Sequence, residues 1–332
     1  MIRLVRRTAA LCVLSTTALA AVAACGGARP DTAGHAPPAQ SATATPGGTD
    51  RPGATTAPGA TSGARATEAP GVTSGPGRTA TPGVPATPGA TAGSAPPTLA
   101  PDPGGLAPVF AHGPRNKGKI VALTFDADMT ADEGGRAAAG EHFDNPALIS
   151  TLRALKVPAT VFMTGRWAEQ YPDQARSIGR DPLFELANHS YSHYAFTGDC
   201  YGLPTLSGDR VRADVERAAT AFRTAGVAHP VPYFRFPGGC YDDRARRAVG
   251  GLGLTAVQWD VISGDAFATD ADAVVRQVLD GVRPGSVVVM HCTRSAAPTT
   301  ERVVRAVVPE LRAQGYRFLK VSEMIAAARV GS

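Results

Sequence analysis

Apolar runs that break off abruptly into polar residues recur along residues 120–291. The first is Ile120-Val-Ala-Leu-Thr-Phe-Asp126-Ala-Asp128, in which β-prone residues end in two acids. That is the pattern of a buried strand carrying carboxylates at its C-terminal end. Leu183-Phe-Glu-Leu-Ala-Asn-His189-Ser-Tyr-Ser-His193, Val231-Pro-Tyr-Phe-Arg235-Phe-Pro237, Leu254-Thr-Ala-Val-Gln-Trp-Asp260 and Ser286-Val-Val-Val-Met-His291 repeat it. Strands are thus predicted near 120–125, 159–163, 183–187, 232–236, 254–259, 286–290 and 317–320. Between them the apolar period changes to that of helices. Asp144-Asn-Pro146 opens one, with Pro in its first turn. Residues 208–225 place Val211, Val215, Ala218, Ala219 and Phe222 on one helical face, and 270–282, 299–314 and 322–328 follow the same period. Gly281 and Gly315 stand where helices would end.

Strands alternating with helices predict a parallel α/β fold. Polar residues gathered after the strands favour a barrel, whose active sites lie at that face. A doubly wound open sheet is the alternative. It usually carries a Gly-rich phosphate turn after its first strand, and Asp126-Ala-Asp128-Met-Thr130 is not one.

The N-terminal part has a different composition. Arg3, Arg6 and Arg7 precede an apolar stretch from Thr8 to Ala24, short for a membrane span, which ends Val22-Ala23-Ala24-Cys25-Gly26. Residues 1–24 therefore read as a signal peptide. Small residues directly before Cys25 resemble a bacterial lipobox, which implies cleavage there and a lipid on the Cys25 sulfur. An ordinary signal peptide, with a secreted product, is the other reading. Both place the mature protein outside the cytoplasm.

Residues 25–108 are mostly Ala, Thr, Pro and Gly, with short near-repeats such as Pro52-Gly-Ala-Thr55 and Pro88-Gly-Ala-Thr91. Such a segment cannot bury enough apolar surface to offset its ordering entropy, so a disordered stalk is expected. As a flexible coil it would span roughly 50 Å. Residues 109–332 are expected to form one folded domain. The net charge of +5 includes the signal's arginines, and the rest is scattered over helical faces. No basic stripe interleaved with aromatics appears, so no nucleic-acid partner is expected. A monomer is expected.

Cys12 leaves with the signal, and Cys25 is the lipidation candidate. Cys200, Cys240 and Cys292 then remain in an oxidising compartment, where an odd number allows one internal bridge. Cys200 and Cys240 follow strands whose loops should share a face, which favours Cys200–Cys240 with Cys292 buried; Cys240–Cys292 competes.

His189 and His193, four apart, can aim two imidazoles at one cation, from a helix or a compact loop. With a carboxylate after the first strand they make three ligands and an open position, the composition of a site that activates a water. Taken alone, the same residues could be a chance His pair and a capped turn.

Thr124-Phe-Asp126, His189-Ser-x-x-His193, Arg235-x-Pro237, Trp259-Asp260 with Asp265, and Met290-His291 resemble, in order and spacing, the five motifs of the polysaccharide deacetylases. This is the NodB homology group, carbohydrate esterase family four, and the likeness spans nearly all of residues 119–325. It implies a distorted (β/α)7 barrel and removal of acetyl groups from N-acetylglucosamine polymers or, in some members, acetylxylan. The resemblance assigns the metal to His189, His193 and an Asp of the first motif, zinc being expected and cobalt, nickel or manganese possible. It makes Asp126 the base, oriented by Arg235, and His291 the general acid, with Asp265 raising its pKa. A backbone N–H at Gly238 would stabilise the oxyanion, with Tyr241 on the substrate side.

Three departures stand out. The family's Thr-Phe-Asp-Asp-Gly is here Thr-Phe-Asp126-Ala127-Asp128, so Asp128 is expected to supply the ligand that Ala127 cannot. Gly238-Gly239-Cys240-Tyr241 replaces a Tyr directly after Pro237. Ala266 stands where an aromatic wall beside the acetyl group is usual, so that wall is either missing or supplied by Phe267. The expected function is a metal-dependent deacetylase tethered to the membrane by a lipid and acting on peptidoglycan. The alternatives are an inactive carbohydrate-binding protein on the same fold, and a deacetylase or esterase for external chitin or acetylxylan.

Overall fold

The computed structural model describes residues 95–329. The expected signal peptide (residues 1–24), Cys25 and most of the Ala/Thr/Pro/Gly-rich segment lie outside them. Among the described residues no helix is long and apolar enough to cross a membrane.

Nine strands are β1 (Val109–Phe110), β2 (Ile120–Ala127), β3 (Ala159–Met163), β4 (Phe184–Asn188), β5 (Tyr233–Phe234), β6 (Thr255–Val257), β7 (Val261–Ile262), β8 (Ser286–His291) and β9 (Arg317–Phe318). The α-helices among the described residues are α1 (Gly134–Ala138), α2 (Pro146–Ala154), α3 (Gly165–Gln170), α4 (Pro172–Gly179), α5 (Val211–Thr224), α6 (Asp243–Gly250), α7 (Ala271–Gly281), α8 (Thr300–Ala313) and α9 (Val321–Arg329). All strand ladders are parallel, in the order β1-β6-β5-β4-β3-β2-β8-β7. β9 pairs with Ile120 and Val121, ahead of Leu123, where β3 begins to pair with β2. The curl is drawn together between β6 and β8 by the chain itself: Asp260 N donates to Val287 O at 3.2 Å, and β7 runs on beside β8. An antiparallel bridge from His112 to Ser286 ties the end of β1 to the start of β8. The seven predicted strands are all present. The two that sequence reading missed, β1 and β7, have two residues each, too short for a period to register.

Side-chain alternation explains both the core and the position of the site. On β2, Val121, Leu123, Phe125 and Ala127 face the helical layer and pack with residues such as Leu148 of α2, Phe222 of α5 and Val304 of α8. Ile120 and Ala122 face inward, where they meet Phe162, Tyr233, Val287 and the α9 residues Val321, Met324 and Ile325. The inward set therefore begins apolar, plugged by α9, and turns polar at Thr124 and Asp126. β8 does the same, with Val287 inside and His291 at its end. Helix starts follow local chemistry. Asn145 Oδ1 accepts from Leu148 N at 3.1 Å ahead of Pro146, and Asp270 caps α7. On α5 the structure buries Ala221 with Val211, Val215, Ala218 and Phe222, whereas Ala219 is only half-buried.

The boundary expected at residue 108 falls inside packed structure. Leu99 N donates to Thr255 Oγ1 at 2.9 Å, Tyr233 Oη to Pro97 O at 2.9 Å, and Ala107 N to Arg246 O at 3.1 Å, while Arg246 also pairs with Asp102. Residues 97–108 carry only Leu99 and Leu106 as large apolar residues, without a period. They are held by these hydrogen bonds together with the packing of Leu99 and Ala107 on the barrel, which composition does not reveal.

Candidate active site

Five chain segments bring their polar ends together at the C-terminal end of the sheet. Asp126 closes β2, and its direct register partner on β8 is His291. Behind Asp126 lies Arg235, fully buried. Its Nη1 donates to Asp126 Oδ1 at 2.6 Å, Nη2 to Thr124 Oγ1 at 2.9 Å and Nε to Val257 O at 3.2 Å. The guanidinium also lies 3.9 Å from the centroid of the Phe162 ring. Burial lowers the pKa of Arg235, and the charge of Asp126 opposes that shift. A buried guanidinium so enclosed is held by its partners, because an unpaired charge would be strongly disfavoured there.

The two histidines come from a compact loop, not a helix. Ser190 N donates to Asn188 Oδ1 at 2.8 Å, His193 N to Ser190 Oγ at 3.0 Å, and Tyr191 N to Asp214 Oδ2 at 2.9 Å. Ser190 and His193 both sit at positive φ, 69° and 57°. The imidazoles lie 4.9 Å apart between ring centroids. His189 Nδ1 lies 2.9 Å from Arg235 O, and as the donor there it leaves Nε2 unprotonated. Burial lowers the pKa of His189 to about 4, so it is neutral at neutral pH, the form that binds metals.

His189 Nε2 lies 3.7 Å from Asp126 Oδ2, and His193 Nε2 lies 3.6 Å from Asp128 Oδ2. Asp128 shares the parity of Asp126 along the chain, whereas Ala127 points into the outer core. Burial alone would raise the pKa of Asp128, but His193, His291, the Thr293 hydroxyl and His189 outweigh it and hold it below the usual carboxylate value. Thr293 grips Asp128 from both sides, its hydroxyl on the carboxylate and Asp128 N donating back to Thr293 Oγ1 at 3.1 Å. Thr293 was not singled out in the sequence, although it follows His291 by two residues and so shares its side of the chain.

Among the described residues no three His, Cys, Asp or Glu side chains converge tightly enough to hold an ion as they stand. The donor set nonetheless fits a divalent cation. Two ligands of a tetrahedral zinc at about 2.0–2.1 Å stand about 3.4 Å apart, close to the 3.6 Å between His193 Nε2 and Asp128 Oδ2. That separation is too long for a hydrogen bond.

His291 Nδ1 meets Asp265 Oδ1 at 2.8 Å, and His291 N donates to Asp265 Oδ2 at 2.8 Å. Ser263 Oγ and Thr300 Oγ1 donate to the same carboxylate at 2.8 and 2.7 Å. Burial would lower the His291 pKa, but the Asp265 charge and hydrogen bond overcome it and raise it to about 10. The same pairing keeps Asp265 below its ordinary value despite burial. Because the folded-state pKa of His291 exceeds its ordinary 6.5, this pair stabilises fully below about 6.5 and loses its contribution as pH rises through about 10. In the metal-free protein, an NMR titration should place His291 near pH 10. Asp265→Asn should drop it to 6.5 or below, since burial remains while the countercharge is gone. A wild-type His291 titrating near 6.5 would refute the coupling.

A cleft of about 190 Å³ opens over Asp128 and His193 and is lined also by Arg136, Leu203, Phe267 and Ser295. Phe267 does not form an enclosed wall, for it is 83% exposed. Gly238 and Gly239 take positive φ, 64° and 75°, in the turn after Arg235, and a Cβ on Gly238 would lie 2.5 Å from Cys200 Sγ. Cys200 and Cys240 form a disulfide that ties this turn to the loop beyond His193. Cys292 is a buried free thiol, and burial raises its pKa to about 12. Tyr241 is not brought to the site; its ring stacks on Phe236, 5.2 Å away. Asp260 serves the fold, pairing with Arg115 at 2.7 Å and accepting from Val287 N at 2.7 Å.

The polysaccharide deacetylase family profile matches residues 113–257. A chitooligosaccharide deacetylase from Rhizobium leguminosarum bv. phaseoli is 31% identical over 191 residues, covering 54% of this chain and 72% of the relative. A peptidoglycan-N-acetylglucosamine deacetylase from Bacillus cereus is 26% identical over 214 residues, covering 63% of this chain and 90% of the relative. The crystal structure of a peptidoglycan N-acetylglucosamine deacetylase, in complex with a naphthalenyl N-hydroxybenzamide, superposes with a TM-score of 0.56 at 24% identity. It covers 66% of this chain and 92% of that one, a likeness of fold.

Proposed function

This chain belongs to the polysaccharide deacetylase family, and on that premise we propose that it hydrolyses the N-acetyl groups of peptidoglycan from outside the cytoplasm, tethered by a lipid on Cys25. The deacetylase reading is carried by one observation: Asp126 and His291 are register partners on adjacent strands, each backed by a buried partner of opposite charge. That is the arrangement of a base and an acid for one reaction. Named activities of relatives point to N-acetylglucosamine polymers. Peptidoglycan follows from the lipobox-like Val22-Ala-Ala-Cys25 and the stalk behind it, which suit a substrate surrounding the cell.

Asp126, oriented by Arg235, accepts a proton from the water that attacks the acetyl carbonyl. His291, protonated through Asp265, donates a proton to the sugar nitrogen as the C–N bond breaks, releasing acetate and a free amine. His189, His193 and Asp128 would hold a divalent cation, with zinc the best match to two imidazoles and a carboxylate. When bound, the ion supplies Lewis-acid polarisation of the water and the carbonyl. Thr293 fixes the Asp128 carboxylate, and Thr124 fixes the Arg235 fork.

Asp128→Ala in the full-length chain is expected to lower the bound zinc or cobalt per chain after dialysis and to cut acetate release from N-acetylchitooligosaccharide and peptidoglycan by at least about tenfold, on the scale of ligand-shell losses. Metal content and release both at wild-type level in Asp128→Ala would move the carboxylate ligand elsewhere. Absence of release from the wild-type protein with either metal would overturn the enzyme reading itself.

A further inference from the structure

Two aromatic rings stand almost fully in solvent beside the cleft, Phe267 at 83% and Tyr201 at 87% exposure. Burial accounts for neither, and neither ring stacks on another aromatic among the described residues. Both also sit on backbone that bulky L residues rarely adopt, with φ of 59° and 50°. Five non-glycine residues among those described have positive φ; besides Lys156 they are Ser190, His193, Tyr201 and Phe267. Four of the five thus fall in the loops that form or border the cleft. Strained backbone concentrated in this way marks sites where geometry serves function.

Each ring is carried on a fixed support. Phe267 N donates to Ala296 O at 2.6 Å, and Ala268 N donates to the backbone carbonyl of Asp265 at 3.1 Å, so its loop is closed at both sides and begins at the residue whose carboxylate holds His291. Tyr201 follows Cys200, whose disulfide to Cys240 pins the loop, and Leu203 N donates to Cys200 O at 2.9 Å. Phe267 lines the cleft together with Leu203, while Tyr201 lies outside it. A rigid exposed aromatic face beside a polar cleft matches the apolar C–H face of a pyranose ring, whose hydroxyl edges remain in water.

We propose that Phe267 and Tyr201 are sugar-stacking platforms for a β-linked N-acetylhexosamine chain. Phe267 holds the ring next to the reacting unit, and Tyr201 holds one further along. The two together make the site select for chain length. This rests on the deacetylase reading for the identity of the glycan.

The test is calorimetric binding of N-acetylchitotriose and N-acetylchitohexaose to the full-length protein and four variants, with acetate release measured in parallel. Phe267→Ala should weaken both ligands by about tenfold, the scale of a lost stacking contact, and Phe267→Trp should restore them. Tyr201→Ala should weaken the hexaose alone, and Tyr201→Phe should leave it unchanged. In release assays Phe267→Ala and Tyr201→Ala should raise KM with kcat preserved. Wild-type protein that binds neither oligosaccharide, alanine variants that bind as tightly as wild type, or a loss confined to kcat would each overturn the platforms. Binding that weakens as expected without any acetate release would uphold them and overturn the deacetylase reading instead.

Discussion

Asp126→Ala should both silence the site and unsettle the fold. Loss of a general base costs about 10²–10⁴-fold in rate. The structural cost has a separate origin. Arg235 is fully buried, and Asp126 is the carboxylate that its Nη1 meets at 2.6 Å. Removing that partner leaves an uncompensated charge in the barrel interior, a change worth about 3–5 kcal/mol. Asp126→Asn should cost less stability, because the amide oxygen still accepts from the guanidinium, yet it should be as inactive as the alanine variant. Asp126→Ala combined with Arg235→Met should regain most of the lost stability, since the stranded charge is gone, and regain no activity. Urea unfolding of the four proteins beside acetate-release assays checks this. An Asp126→Ala variant within about 1 kcal/mol of wild type would mean that the interior carries the Arg235 charge without help.

Replacing Cys200 and Cys240 by alanine should lower stability by about 4 kcal/mol, from the loop-closure entropy of a bridge spanning 40 residues. In a domain of this size that corresponds to a Tm lower by roughly 8–16 °C. The bridge joins the loop carrying Tyr201 to the turn at Gly238, so the loss should also raise KM for long substrates more than for short ones. Reduction of the wild-type protein with a dithiol should reproduce both effects. Calorimetry with and without reductant is the measurement, and a Tm shift below about 2 °C would show that the two loops are held by their other contacts.

Much of this site was legible before the fold was known, because strand ends and parity are properties of the chain. Thr124-Phe-Asp126 and Met290-His291 carry their alternation openly, and an inward Thr124 and Asp126 follow once Phe125 is buried outward. The same parity makes Asp128, and not Ala127, the residue that can face the His pair. The Cys200–Cys240 bridge was favoured from loop placement over Cys240–Cys292, and the structure contains it. The two-residue strands β1 and β7 were not legible, nor was the packing of residues 97–108, since these segments are fixed by distant hydrogen bonds and lack any period of their own. From sequence the aromatic wall was either absent or supplied by Phe267; in the structure the Phe267 ring stands in solvent, on backbone at φ 59°.

The sequence by itself determined which polar residues stand at the strand ends, their order along the chain, and the parallel α/β class, because alternation, helical period and residue type are local. The tertiary structure decided the partnerships: Asp126 against His291 across a ladder, Arg235 beneath Asp126, Thr293 on Asp128, Ser263 and Thr300 behind Asp265. Those contacts join residues far apart in the chain as well as near neighbours. Their geometry is set by the curl and register of the sheet, which depend on all the strands packing at once.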